Sequence, residues 1–186
     1  MPMIMTGVIF HQVAFFAASQ WPAELVVTAF FAYAVAGVLA SIAAGVALDS
    51  VPVRWAFVAA SIAGMAALGM TRLAVPASVG ALLYGALLGI AGGFATAGNS
   101  VLWPSFFGIE SLGAIKGIVS AVRNAATAVG ATLVAALLSP GAALSPLTAL
   151  GALLIVMLVC ALFIEPPRGA RWLQSESATP ERQLAA

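Results

Sequence analysis

Apolar residues fall in six long runs, at residues 3–19, 24–48, 55–71, 78–102, 112–138 and 146–164, separated by short polar or Pro/Gly-rich joins. A helix needs about 20 mostly apolar residues to cross the hydrocarbon of a bilayer. The runs are continuous, without the alternation of polar and apolar positions that a membrane barrel requires. The pattern therefore predicts an all-α, polytopic membrane protein with six transmembrane helices. Gln20-Trp21-Pro22, Asp49 to Arg54 and Arg72 to Ser78 mark three joins, and Trp103-Pro104 and Ser139-Pro140-Gly141 predict two more breaks. Residues 1–165 make the bundle, and 166–186 read as a polar cytoplasmic tail, disordered by composition.

Composition reinforces this reading, because 63% of residues are hydrophobic and only 7% charged, against about 25% charged in an ordinary soluble domain. So few charges cannot solvate a globular surface, and a lipid bilayer is the expected environment. The first run begins almost at Met1 with no basic region or cleavage site before it, which argues against a signal peptide. A span lacking its first turn suits a chain that starts inside a longer architecture. Outside Arg123, which lies within a run, Arg54, Lys116, Arg168, Arg171 and Arg182 share one side while Arg72 stands on the other. That split predicts a multi-pass membrane protein with both termini cytoplasmic.

Small residues sort the runs. Gly37, Ser41 and Gly45 in the second, Gly85, Gly89 and Gly93 in the fourth, and Gly113 and Gly117 in the fifth recur every four residues, a spacing that lets neighbouring helices pack closely. The third and sixth runs lack such features, which predicts four inner helices and two outer ones. It also places the featureless helix third in each of two triplets, as in a 3+3 inverted repeat.

Arg123 is the most informative position. It lies eleven residues into the fifth run, about 16 Å along a helix and hence near the midplane. A charge there must face the bundle interior or a wet cavity. Lys116, Ser120, Arg123, Asn124 and Thr127 form one polar stripe, and His11, Gln12, Asn99 and Ser100 are candidates to line the same cavity. All six acids, Glu24, Asp49, Glu110, Glu165, Glu176 and Glu181, fall at helix ends, in joins or in the tail. A central cation with no carboxylate at its depth invites an anionic ligand.

Gly45-Val-Ala-Leu-Asp49-Ser-Val-Pro-Val-Arg54 resembles the loop signature of the major facilitator superfamily, with Gly45, Asp49 and Arg54 matching and Ser50, Pro52 and Trp55 departing from it. The stretch Asn99-Ser-Val-Leu-Trp103-Pro-Ser-Phe-Phe107-Gly108, with Leu112-Gly113-Ala-Ile-Lys116-Gly117, is similar to the join of the tenth and eleventh helices in its bacterial monocarboxylate and oxalate/formate branch. Phe10-His11-Gln12 is reminiscent of the seventh helix there. The resemblance covers residues 3–165 and implies the C-terminal six-helix half of a twelve-helix secondary transporter of the bacterial inner (plasma) membrane, working by alternating access. It further implies that Arg123 binds a substrate carboxylate, with Asn124, His11, Gln12, Asn99, Ser120 and Thr127 around it, and that Gly45, Asp49 and Arg54 form a cytoplasmic gate.

The expected partners are lipid, a small-molecule substrate, and an N-terminal six-helix half or a second copy. The alternative is a truncated or split-gene membrane fragment, or an interaction subunit, with no transport of its own. An intramembrane serine protease is disfavoured, because His11 is the sole histidine and no serine sits in a nucleophile motif. The chain is not expected to be an enzyme or to carry a cofactor or metal; its one cysteine, Cys160, has no partner in the chain. A net charge of +1 without a basic run excludes a nucleic-acid footprint.

Overall fold

In apolar surroundings each backbone amide must be satisfied within its own segment, which makes helix the default for runs such as these. The computed structural model describes residues 1–107, 112–139 and 145–164, and within them the regular structure is entirely helical. The expectations for Glu110, Pro140-Gly141, Glu165 and the tail at 166–186 lie outside those residues. The order is α1 (Pro2–Phe10), α2 (Gln12–Ala18), α3 (Leu25–Leu48), α4 (Arg54–Met70), α5 (Ala77–Phe107), α6 (Leu112–Leu137) and α7 (Pro146–Leu162). Three of these, α3, α5 and α6, are long and apolar enough to cross a membrane, while α4 and α7 are apolar but 17 residues long.

The expected first helix is divided at His11. No proline or glycine marks the break; instead the His11 Nδ1 bonds the Gly7 carbonyl oxygen at 3.1 Å. That side chain competes for a carbonyl which the helix ladder would otherwise use. At the far end, Gln20 takes a left-handed conformation (φ 58°) and the Trp21 amide donates to the Phe16 carbonyl at 2.8 Å, closing the helix and turning the chain. The Trp21 ring then packs edge-on against Phe16 and Tyr84, with ring centroids 5.2 and 6.5 Å away.

Trp103-Pro104 is no break. α5 continues to Phe107 with Pro104 inside it. Proline this close to a helix end removes one ladder bond, that to the Ser100 carbonyl, and leaves the last turn intact. The Trp103 ring stacks on Phe107 at 6.2 Å across that turn.

The tightest interface joins α3 and α5. A Cβ on Gly93 would lie 2.6 Å from the Gly37 carbonyl oxygen, and one on Gly85 would collide with the Ala29 carbonyl. The division into four inner and two outer helices does not hold in this chain. α4, the third run, buries Ala56, Ala60, Ala63, Gly64 and Ala67, with Leu154 of α7 seated against Gly64. Its alanines do what glycines do elsewhere, giving a smooth face for close approach. By contrast α6 buries only Gly130 and Val134. Gly113 and Gly117 meet nothing within 4 Å, and neither does Gly45. The close approach on α6 is made instead by Gly130, which lies on the Met3 carbonyl, opposite Gly7 of α1.

Two apolar clusters hold the bundle. The larger one runs through Val8, Phe16, Tyr84, Leu88, Val134, Leu150 and Leu154. The smaller one, at the end where α4 starts and α7 finishes, is built from Val53, Phe57, Val58 and Ala161. Large apolar side chains remain exposed along α3 and α6, among them Phe31, Val38, Ile42, Ile118 and Val122. Lipid, rather than water, is the solvent such surfaces suit.

Candidate functional site

Because α6 leans on α1 only through its second half, its first half stands away from the other helices and leaves space on both sides of Arg123. One cavity of about 410 Å³ lies between α1, α3, α5 and α6, walled by Tyr33, Ser41, Gly92, Thr96, Asn99 and Arg123. Another, of about 490 Å³, lies between α4, α5, α6, α7 and the start of α1, with Met1, Trp103, Ile118, Val122, Arg123 and Met157 on its wall. Arg123 and Asn99 belong to both. Arg123, itself exposed rather than enclosed in the bundle, thus stands at a junction between a polar chamber and an apolar one.

Close packing of α3 on α5 creates the polar chamber. With glycine at positions 89, 92 and 93, the α5 backbone is bare toward α3, and the Tyr33 hydroxyl reaches to within 3.5 Å of where a Gly92 Cβ would be. The Ser41 hydroxyl faces the Gly93 carbonyl at 3.5 Å. Asn99 donates its Nδ2 to the Ala95 carbonyl at 2.8 Å, which leaves its amide oxygen and a second N–H for another partner. Thr96 is one helical turn before Asn99, and the two share the α5 face turned to the cavity.

The electrostatics are simple. Arg123 is the only charged side chain on either wall, and the Met1 amino terminus lies near it on both. Among the described residues the carboxylates are Glu24 and Asp49, which flank α3 as its cap residues. A guanidinium offers five donors in a planar fork and suits a carboxylate or another oxyanion.

The other expected site residues are not gathered here. Ser120 and Asn124 are exposed, and the Thr127 hydroxyl donates to the Asn124 carbonyl at 2.6 Å. The α6 face turned to the cavities carries Ile118, Val119, Val122 and Arg123, so the polar stripe is rotated away from it, Arg123 excepted. Gln12 is buried and His11 is occupied by Gly7; neither lines a cavity with Arg123. Tyr33 and Thr96 join the site without having been singled out in the sequence. A lone tyrosine inside the apolar second run, and a threonine three residues before Asn99, are the signals that would have found them.

At the join of α3 and α4, Gly45 and Asp49 are exposed. Arg54 lies over the Trp55 ring, 5.8 Å from its centroid, and its buried Nε has no partner among the described residues. The tryptophan that departs from the loop signature is the one that holds the arginine. Compared with protein families, curated proteins and solved structures, the chain matches none.

Proposed function

We propose that the chain crosses the bilayer six times, as a 3+3 inverted repeat of the major facilitator type, and forms the C-terminal half of a secondary transporter for a small organic anion. In this reading it resides in the bacterial inner membrane with both termini cytoplasmic, and the solute moves by alternating access. The observation that carries the proposal is Arg123. It is a cation halfway along an apolar helix, on the shared wall of two cavities, with Asn99 beside it and no carboxylate from the described residues facing it. An arginine at that depth is costly and is kept where a polar partner comes to it.

Both α3 and α6, which line the polar chamber, expose apolar residues on an open side that a second wall would cover. An N-terminal six-helix half or a second copy of this chain would supply it. The same open side favours a second reading, an interaction subunit or fragment with no transport of its own. Thermal-shift screening of the purified protein against small carboxylates and neutral metabolites separates the two, since a ligand bound only by the folded state raises apparent stability. Stabilisation by carboxylates that disappears in Arg123→Gln supports the transporter. Equal, null responses in both proteins would leave the fragment.

A further inference from the structure

Resting on the reading of Arg123 as an anion site, we infer that the preferred ligand is a mono-anion with a bulky apolar body, the body seated in the chamber between α4, α5, α6 and α7.

The charged groups of that chamber, Arg123 and the Met1 amino terminus, lie close together. Arg123 and Asn99 stand at one end, and the remainder is walled by Trp103, Ile118, Val122 and Met157, with Cys160 on the same wall. A second carboxylate at the far end of the ligand, away from those cations and among the aliphatic walls, would lose its hydration with no partner, which disfavours a ligand charged at both ends. A polar body would leave its hydroxyls unpaired against aliphatic walls for the same reason. An aromatic or branched body loses nothing and removes apolar surface from water. A volume of about 490 Å³ is far more than formate or acetate fills, and it lies within the roughly 300–1,000 Å³ of small-molecule pockets. Ile118 and Val122 sit on the exposed face of α6 and hold up no neighbouring helix.

Cys160 gives a direct readout, because it is the only cysteine in the chain and is exposed on the cavity wall. The purified full chain, in nanodiscs of zwitterionic lipid, is labelled with a membrane-permeant maleimide in the presence of 4-phenylbutyrate, acetate, succinate or 4-phenylbutanol. At a concentration ten times its Kd, 4-phenylbutyrate is expected to slow Cys160 labelling about tenfold, by simple occupancy. Acetate shifts thermal stability without protecting Cys160, and succinate and the alcohol do neither. Ile118→Trp, at an exposed position, fills the chamber and abolishes protection by phenylbutyrate. Arg123→Lys retains protection and Arg123→Gln loses it. If acetate stabilises the protein while phenylbutyrate leaves Cys160 unprotected, or if the neutral alcohol protects equally, the apolar-body assignment is wrong and the anion site survives. If no anion stabilises or protects, the reading of Arg123 falls as well.

Discussion

Gly93 of α5 and Gly37 of α3 meet backbone to backbone, so closely that a Cβ on Gly93 would lie 2.6 Å from the Gly37 carbonyl oxygen and 2.8 Å from the Ala40 Cβ. Neither contact is the end of a flexible side chain, and the helices themselves must separate to admit one. Gly93→Val is therefore expected to destabilise the bundle by about 2–3 kcal/mol, the usual cost of overpacking. Gly37→Ala, whose Cβ would sit 3.5 Å from its nearest neighbour, should be nearly neutral. Gly45→Val, in open space, is the control. Thermal unfolding followed by tryptophan fluorescence orders the three, and a neutral Gly93→Val would mean that α3 and α5 pack differently.

The all-helical class is legible in the sequence because continuous apolar runs leave the backbone no other way to satisfy its amides. Which faces pair is not. Gly113 and Gly117 carry the same four-residue spacing as Gly89 and Gly93, yet only the latter pair meets a neighbour. Spacing tells where a backbone can be approached, and the approach itself depends on the partner helix. Arg123 announces itself as a charge within an apolar run. Its neighbours do not, since Tyr33 and Thr96 reach its cavity only through the α3–α5 contact. The polar stripe of Ser120, Asn124 and Thr127 misleads because a stripe has a direction that its spacing cannot supply. The break at His11 is equally hidden, since neither a proline nor a glycine marks it and a ring–carbonyl bond accompanies it.

Tyr84 is fully buried between Phe16 and Trp21, and its hydroxyl finds no hydrogen-bond partner among the described residues. An unpaired polar atom of that kind costs stability that an isosteric apolar ring would not. Tyr84→Phe should raise the melting temperature, with a gain of about 1 kcal/mol, and Tyr84→Leu should lower it by opening a cavity beside two rings. A Tyr84→Phe protein less stable than the parent would show that the hydroxyl has a partner in the membrane.

Anion recognition should depend on Arg123 and, to a lesser degree, on Asn99, and not on the polar residues further round α6. Removing a charge-assisted hydrogen bond costs about 1.5–3 kcal/mol, so Arg123→Gln should weaken carboxylate binding by roughly 10- to 100-fold. Asn99→Ala removes a neutral donor and is expected to cost less than about tenfold. Ser120→Ala and Asn124→Ala, at exposed positions that line neither cavity, should bind as the parent does. Titration calorimetry with a monocarboxylate ranks the four. A large loss at Ser120 with none at Arg123 would move the site to the other face of α6.

The number of crossings turns on α4, because at 17 residues it is about 25 Å long, somewhat short of a hydrocarbon core of roughly 30 Å. Arg54 begins it and Arg72 follows just after its end. Long basic side chains at both ends can reach outward to the two interfaces and make up the difference. If α4 spans, the joins on either side of it face opposite compartments, and charge bias puts the join of α3 and α4 in the cytoplasm. Single cysteines at Ser50 and Ser78, both exposed, in a Cys160→Ala background test this with an impermeant thiol reagent. In intact cells Ser78→Cys should label and Ser50→Cys should not, and the order should reverse in inside-out vesicles. Labelling of both from one side would make α4 a re-entrant or surface helix, and a count of six crossings could not stand.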